Sequence, residues 1–505
     1  MEHQAHVLRI IAFPLLGALL IPILGWIKPL RRYTGYLAVV LIGIAHLMTY
    51  PMFKAGLAGV KETTVLVELM KGVSFSLTVD ALSCFMAFAS TLIALLIAIY
   101  STGYIEHDEH ESEYYFVVTL FVGAMQGLVF SNNLVFMYLF WETSALACWR
   151  LIGYYRKPEY VLMADKAFLI TFAGAVLMLL GFGLIYNQYG TLDLAALAGK
   201  PIGAVALALI MAGIFSKSAT VPLHTWLPDA GVAPSTITSL LHAAILVKIG
   251  LYGFARIFHN GLVIPDGYWV WILGFAMASA FISACGALME NNIKRVLAYS
   301  TVSQIGYTFL GLAAVAATGY IGAILYILAH GLAKGGLFLC AGIVEHSTHT
   351  KDMTKMGGLF QKMPVTAMAY LVCALGIAGI PPLAGFFSKW FVVRGLLEGH
   401  HPVIATMAIL TAVLTLLYML KSFHVVFLGA SRGHAEREHL NNPMPWVVAT
   451  LAVLSLLAGF GLATPHRLAT VAETQRITRM AQPQAPAAQA PAAPLTLPAP
   501  AVAHP

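Results

Sequence analysis

Charge is what this 505-residue chain has least of. Only 10% of its residues are charged, while 59% are hydrophobic and the mean hydropathy is +0.80. Soluble domains carry about 25% charged residues, so the deficit excludes a water-soluble globular protein. Thiol clusters are lacking too. The five cysteines, Cys84, Cys148, Cys285, Cys340 and Cys373, lie in apolar segments, and no two are close enough for a CxxC pair. Iron–sulfur clusters and tetrahedral zinc need converging ligands, and no GxGxxG nucleotide loop is present. The chain is therefore expected to hold no metal and no redox cofactor of its own. Its net charge of +7 reflects basic residues in short loops and points to no nucleic-acid partner.

Long apolar runs are what it does have. Most reach about 20 residues or more, enough to cross roughly 30 Å of hydrocarbon as a helix. They predict an all-α integral membrane protein with about fourteen spanning helices. The expected centres are near Leu16, Val40, Leu92, Phe121, Ser144, Val176, Leu209, Ile245, Met277, Phe309, Leu328, Leu375, Leu414 and Leu454. The first run, residues 7–26, lacks a cleavage site and is read as a retained helix rather than a secretion signal. Residues 74–83, "SFSLTVDALS", alternate and predict a short extended stretch before the third helix.

Four basic loops, at 28–33, 154–160, 291–295 and 349–362, fall on one side of such a trace. The positive-inside rule puts that side in the cytoplasm and both termini outside a cell inner membrane. Arg150, Arg156, Lys157 and Lys166 read as orientation signals. The acidic run "EHDEHESE" at 106–113 falls on the same side and reads as a solvated loop, with metal binding through His107 and His110 a poor second. The Pro/Ala-rich end, residues 467–505, cannot bury a core and is expected to be disordered.

Two apolar helices are interrupted. One break carries Pro222, Pro228 and Pro234, with Lys217 before it; the other carries Pro381 and Pro382, with Lys389 after it. Proline breaks the helical ladder, and broken backbone at membrane depth is tolerated only where protein or a wet cavity satisfies it. Paired interruptions point to an inverted-repeat transporter core. The expected division is 1–113 for the first three helices, 114–259 and 267–429 for two repeats, 430–466 for a last helix, then the tail.

Isolated charges punctuate these runs: Glu142 in "LFWETSAL", Lys217 in "IFSKSATVPL", His242 and Lys248 in "LLHAAILVKIGLY", His330 and Lys334 in "AHGLAKGG", and Lys389 in "FFSKW". A charge at the bilayer centre costs at least about 2.5–3.5 kcal/mol. Glu142 and Lys217 are open to two readings, a structural ion pair or a proton switch. Stability alone is a weak reason to keep a buried pair. A lysine held between desolvation and a nearby carboxylate can load and release a proton when that carboxylate changes. His242 is a helix–helix contact or a relay between lysines, with Lys248 on a different face. His330 and Lys334, at i and i+4, share a face. Lys389 either snorkels or ends a buried polar line. Trp226 and Tyr307 read as packing or interface anchors.

Taken in order, "LFWETSAL", "KSATVPLHTWLPDAGVAPST", "LLHAAILVKIGLYGFAR", "NNIKRVLAYSTVSQIGY", "AHGLAKGGLF" and "PPLAGFFSKW" resemble one family. It is that of the antiporter-like membrane subunits of respiratory complex I, Mrp-type cation/proton antiporters and membrane-bound hydrogenases. The resemblance covers roughly residues 70–430. It implies fourteen helices with two inverted five-helix repeats. It also implies that Glu142 modulates Lys217, that Lys248 connects the halves, that His330 and Lys334 match a connecting histidine and lysine of some members, and that Lys389 ends the line. The distal complex I subunit carries an arginine and an aspartate where this chain has Phe172 and Ala175, and its long lateral helix is replaced here by the Pro/Ala tail. The implied function is proton translocation within a multisubunit redox-driven complex, an NADH-quinone oxidoreductase or membrane-bound hydrogenase type. Flavin, iron–sulfur or nickel–iron centres are expected in partner subunits. The alternative is a subunit of an Mrp-type Na+/H+ antiporter, and a non-conducting scaffold is the structural rival.

Overall fold

The computed structural model describes residues 2–105, 108–432 and 435–481. Thirteen of the fourteen predicted centres fall inside a helix, and Ile245 is the bend between the turn Leu240–Ala244 and the helix Leu246–Phe254. Among the described residues, ten helices are long and apolar enough to cross a membrane, and Ala204–Lys217 and Pro364–Ala378 are shorter apolar ones. The chain is a multi-pass membrane protein. Helix starts are fixed by local chemistry. Asn133, Asn292 and Asn442 accept hydrogen bonds from the first helical amides, and Asp80 and Ser83 form a reciprocal capping box. Such caps satisfy donors that the helix itself cannot.

The helical segment Ser235–His259 and the helix Ala317–Thr348 lie at the centre, buried along almost their whole length. Peripheral helices are apolar outward as well as inward. Leu169 and Leu180 on Pro158–Tyr189, and Leu410, Val413 and Leu417 on Pro402–Phe423, are exposed. In a bilayer these faces meet lipid.

Loops gather at two ends. At the basic end, Glu113 pairs with both Arg150 and Arg156, and Asp229 takes Lys166 at 2.6 Å and Arg295 at 2.8 Å. The acidic run at 106–113 is therefore partly counter-charge to the basic loops; its Glu106 and His107 lie outside the described residues. At the opposite end, strand Val73–Val79 confirms the predicted extended stretch. It pairs antiparallel with Glu62–Met70, a strand the alternation did not reveal because both its faces are exposed. The turn between them needs Gly72, with φ +75°, whose missing Cβ would collide with the Gly190 carbonyl. Asp193 ties this hairpin down, accepting from Ser74 at 2.8 Å, Ser76 at 3.1 Å and Asn133 at 2.8 Å.

The expected disordered tail begins too early. Residues 467–481 continue the helix Ala463–Ala481. Its polar composition disguised it, because it buries only a few small or aliphatic side chains, Leu468, Ala469 and Ala472, together with the charged Glu473 and Arg479. Glu473 is buried and holds Arg476 through two 2.6 Å contacts. Gln475 accepts from the Ala81 amide at 3.0 Å and donates to the Gly59 and Val60 carbonyls. Residues 482–505 lie outside the described residues.

Beside it, Asp80 receives a bidentate pair from buried Arg256, which also donates to the Tyr252 hydroxyl at 2.8 Å. Burial pushes the Asp80 carboxyl up, but the Arg256 guanidinium outweighs it and holds it down at about 2. That contribution is full above the ordinary carboxylate range near pH 4 and is lost as pH falls towards 2. Removing one partner strands the other charge. Asp80→Ala is expected to destabilise the fold by about 3–5 kcal/mol, read as a lowered thermal midpoint in detergent at pH 7, with the difference from wild type shrinking at acid pH.

Candidate functional site: a line of buried charges between broken helices

The helix Ala204–Lys217 has 14 residues, about 21 Å at 1.5 Å per residue, so it stops inside a bilayer's hydrocarbon. Lys217 is its last residue and is buried. The carbonyl of Ser216, past the end of the regular ladder, takes the Trp226 indole N–H at 2.9 Å as well as the Ala219 amide at 3.3 Å, and the Val221 amide reaches Ser279 Oγ at 3.3 Å. Trp226, expected to be an anchor, thus satisfies backbone at the break. Lys217 Nζ donates to the Trp141 carbonyl at 3.0 Å and lies 5.6 Å from the Trp141 ring centroid. It makes no ion pair within 4.0 Å among the described residues. Glu142, half-buried on Leu134–Ile152, is near enough to act on Lys217 through space, and its Oε1 has no protein partner. The structural ion pair is not formed.

The second break follows Pro364–Ala378. Gly379, at φ +87°, ends that helix, and the chain resumes as Ala384–Glu398. Lys389 is buried and donates to the freed Ile377 carbonyl at 2.8 Å and to that of Ala378 at 3.4 Å. It does not snorkel. Its ammonium lies 5.0 Å from the Tyr307 ring centroid and 5.7 Å from that of Tyr326. Tyr307 therefore faces a charge as well as packing.

Between the breaks run the central helices. His242 lies in a π-helical turn, Leu240–Ala244, closed by Ile245 N–H donating to the Leu240 carbonyl. Such turns are rare and concentrate at functional sites. Lys248 follows on Leu246–Phe254, and its Nζ is buried without a protein partner. On Ala317–Thr348, both ring nitrogens of His330 are unpartnered, as are those of His242, while Lys334 Nζ donates to the Leu297 carbonyl at 2.8 Å. A Cβ at Gly331 would stand 2.5 Å from Ile93 and 3.2 Å from the Ala243 carbonyl, so glycine lets this helix pack closely there, with Lys248 Nζ alongside. The structure brings His242, Lys248, His330, Lys334 and Lys389 into one electrostatic group. Lys217 belongs with Glu142. The two sets meet where Gly250 packs on the lysine-bearing helix, its missing Cβ 2.8 Å from the Ile214 carbonyl.

Three features were missed from the sequence. Lys294, counted among the loop charges, is buried one residue into the helix Ile293–Ala313. There its Nζ meets Glu345 at 2.6 Å and donates to the Ala233 carbonyl at 3.0 Å. The Asn292 cap, legible in "NNIK", was the available signal. Arg256 and Asp80 lie 176 residues apart, and nothing local links them. Gly250 carries no chemistry of its own.

With this geometry in place, comparison identifies the class. The signature of the NADH:quinone oxidoreductase/Mrp antiporter transmembrane family matches residues 131–415, and that of the N-terminus of NADH-ubiquinone oxidoreductase (complex I) chain 5 matches residues 70–115. The chain belongs to this antiporter-like family. It is 33% identical over 486 residues to a Na+/H+ antiporter subunit of Alkalihalophilus pseudofirmus, covering 89% of this chain and 60% of the relative. It is 34% identical over 451 residues to NAD(P)H-quinone oxidoreductase chain 5 of a Picosynechococcus species, covering 83% and 67%. Its fold resembles a chain of the Mrp complex from Dietzia, with TM-score 0.84, 23% identity and coverage of 92% and 96%. It also resembles a chain of respiratory complex I from Thermus thermophilus, with TM-score 0.80, 23% identity and coverage of 93% and 99%. The chain spans about three-fifths of the length of the Na+/H+ antiporter relatives it matches.

Gly250→Ala should force apart the helices bearing Lys217 and Lys248. A destabilisation of about 1–3 kcal/mol is expected, measured as a fall in thermal midpoint, whereas Gly274→Ala, whose Cβ meets open space, should leave it unchanged.

Proposed function

We propose that this chain is the proton-translocating membrane subunit of a redox-driven complex related to complex I. Protons move along Glu142, Lys217, His242, Lys248, His330, Lys334 and Lys389. The observation that carries the reading is the unpaired state of the line: Glu142 Oε1, Lys248 Nζ and four imidazole nitrogens are buried with no protein hydrogen bond. Each such group costs about 1–3 kcal/mol if nothing satisfies it. A scaffold would pair them or replace them with apolar side chains; a proton path leaves them for water and for one another.

In this reading, energy arrives as a conformational or electrostatic change at Glu142, which alters the proton affinity of Lys217. The shift passes to Lys248, through His242 and His330, to Lys334 and then Lys389. A neutral imidazole accepts at one nitrogen and donates at the other, which suits both histidines to the gaps. Flavin, iron–sulfur or nickel–iron chemistry belongs to partner subunits. The basic loops face the cytoplasm, and both termini lie outside the inner membrane.

A second reading, membership of an Mrp-type Na+/H+ antiporter, is favoured by the match to the Alkalihalophilus antiporter protein over nine-tenths of this chain. Gentle purification of the tagged chain, with its companions identified by mass spectrometry, separates the two. Redox subunits are expected; only small Mrp-like membrane subunits would give the second reading. In vesicles carrying the complex, Lys217→Ala should lower proton transport about 10²-fold without disassembly, and unchanged transport would sink both.

A further inference from the structure

Lys217 has a carboxylate in range; Lys389 has none. The rings of Tyr307, from Ile293–Ala313, and Tyr326, from Ala317–Thr348, lie against the Lys389 ammonium, and His330 and Lys334 of the latter helix are within electrostatic range of it. Two carbonyls at the break complete the set. No ion pair forms there among the described residues. An ammonium buried among other cationic groups needs some source of negative potential, and the two ring faces supply it. Cation–π attraction acts within about 6 Å of a ring centroid and strengthens when water is excluded.

The rings are also held. Tyr326 O–H donates to Gln304 Oε1 at 2.5 Å, and the Gln304 amide in turn donates to Thr415 Oγ1 at 3.1 Å and to the Tyr418 hydroxyl oxygen at 3.3 Å. Tyr418 and Ser300 are hydrogen-bonded at 2.8 Å. All of these groups are buried, and the Thr415 hydroxyl hydrogen is spent on the Thr411 carbonyl, which leaves its oxygen to accept from the Gln304 amide. Gly379 leaves room for the Lys389 stem, whose Cδ lies 3.1 Å from where a Cβ would be.

We infer that Tyr307 and Tyr326 form an aromatic cage that sets the proton affinity of Lys389, with Gln304 as the positioning residue that aims Tyr326. The inference rests on the proton-line reading above. The cage does at Lys389 what Glu142 does at Lys217, with one difference. Ring faces and carbonyls stabilise the ammonium yet leave no buried anion behind when its proton departs. A proton arriving on Lys334, within electrostatic range of Lys389, then expels the one on Lys389 without separating an ion pair.

The test is the pH profile of proton transport by the assembled complex in vesicles. Without the Tyr326 ring the ammonium is held less well, so Lys389 empties at lower pH. Tyr326→Leu should therefore move the alkaline limb of the profile down by about one pH unit. Tyr326→Phe keeps the ring face and should stay close to wild type, with Gln304→Leu in between. An unchanged profile with reduced amplitude in Tyr326→Leu would overturn the cage, as would Tyr326→Phe shifting as far as Tyr326→Leu. If Tyr326→Leu fails to assemble, Tyr307→Leu reads the other face; if neither assembles, the rings are structural and the inference falls. Lys217→Ala in the same assay keeps the two ideas apart. Transport that survives it defeats the proton line itself; transport lost there, with the Tyr326→Leu profile unmoved, defeats only the cage.

Discussion

A lysine ammonium solvated by main-chain carbonyls is the interaction on which the interior depends. Lys217 donates to Trp141, Lys334 to Leu297, and Lys389 to Ile377 and Ala378. None of the three is locked to a carboxylate. A buried ion pair holds both charges because removing one strands the other. A carbonyl is neutral, so an ammonium resting on it gives up its proton and leaves nothing charged behind. The Arg256–Asp80 pair shows the opposite design. A guanidinium does not deprotonate in a protein, and its bidentate contact fixes the end of a central helix to the hairpin.

The broken helices follow from the same requirement. An unbroken helix spends its carbonyls on its own ladder, whereas one that stops within the hydrocarbon leaves its last ones open. Lys389 takes two of these directly, and Trp226 covers another beside Lys217. Glycine then decides how closely the lysine-bearing helices approach. Gly250 and Gly331 are positions where a methyl group would meet a carbonyl, an aliphatic side chain or the Lys248 ammonium. The π-helical turn at His242 is a further departure from regular structure in the same region.

The polar interior also divides by role. Glu113, Asp229 and Glu345 at the basic end, and Asp193, Asp80 and Glu473 at the other, are engaged by cations or hydroxyls. Their bonds close the ends of the bundle. At the centre, Lys248 and both nitrogens of His242 and of His330 are buried without a protein hydrogen bond, while Lys217, Lys334 and Lys389 rest on carbonyls.

How much of this was legible follows from the range of each interaction. Hydrophobic run length, proline position and isolated charge are local, so the sequence by itself determined a multi-helix membrane protein, the approximate place of its apolar helices, both breaks, and which charges lie inside apolar runs. Partner choice is not local. That Lys217 rests on Trp141 and not on Glu142, that Lys389 faces Tyr307 and Tyr326, and that Arg256 reaches Asp80 were decided by packing between distant segments. The strand Glu62–Met70 and the helix Ala463–Ala481 escaped for the same reason. The strand carries no buried apolar face and the helix only a narrow one, Leu468, Ala469 and Ala472, and each is held by contacts that only the tertiary structure supplies.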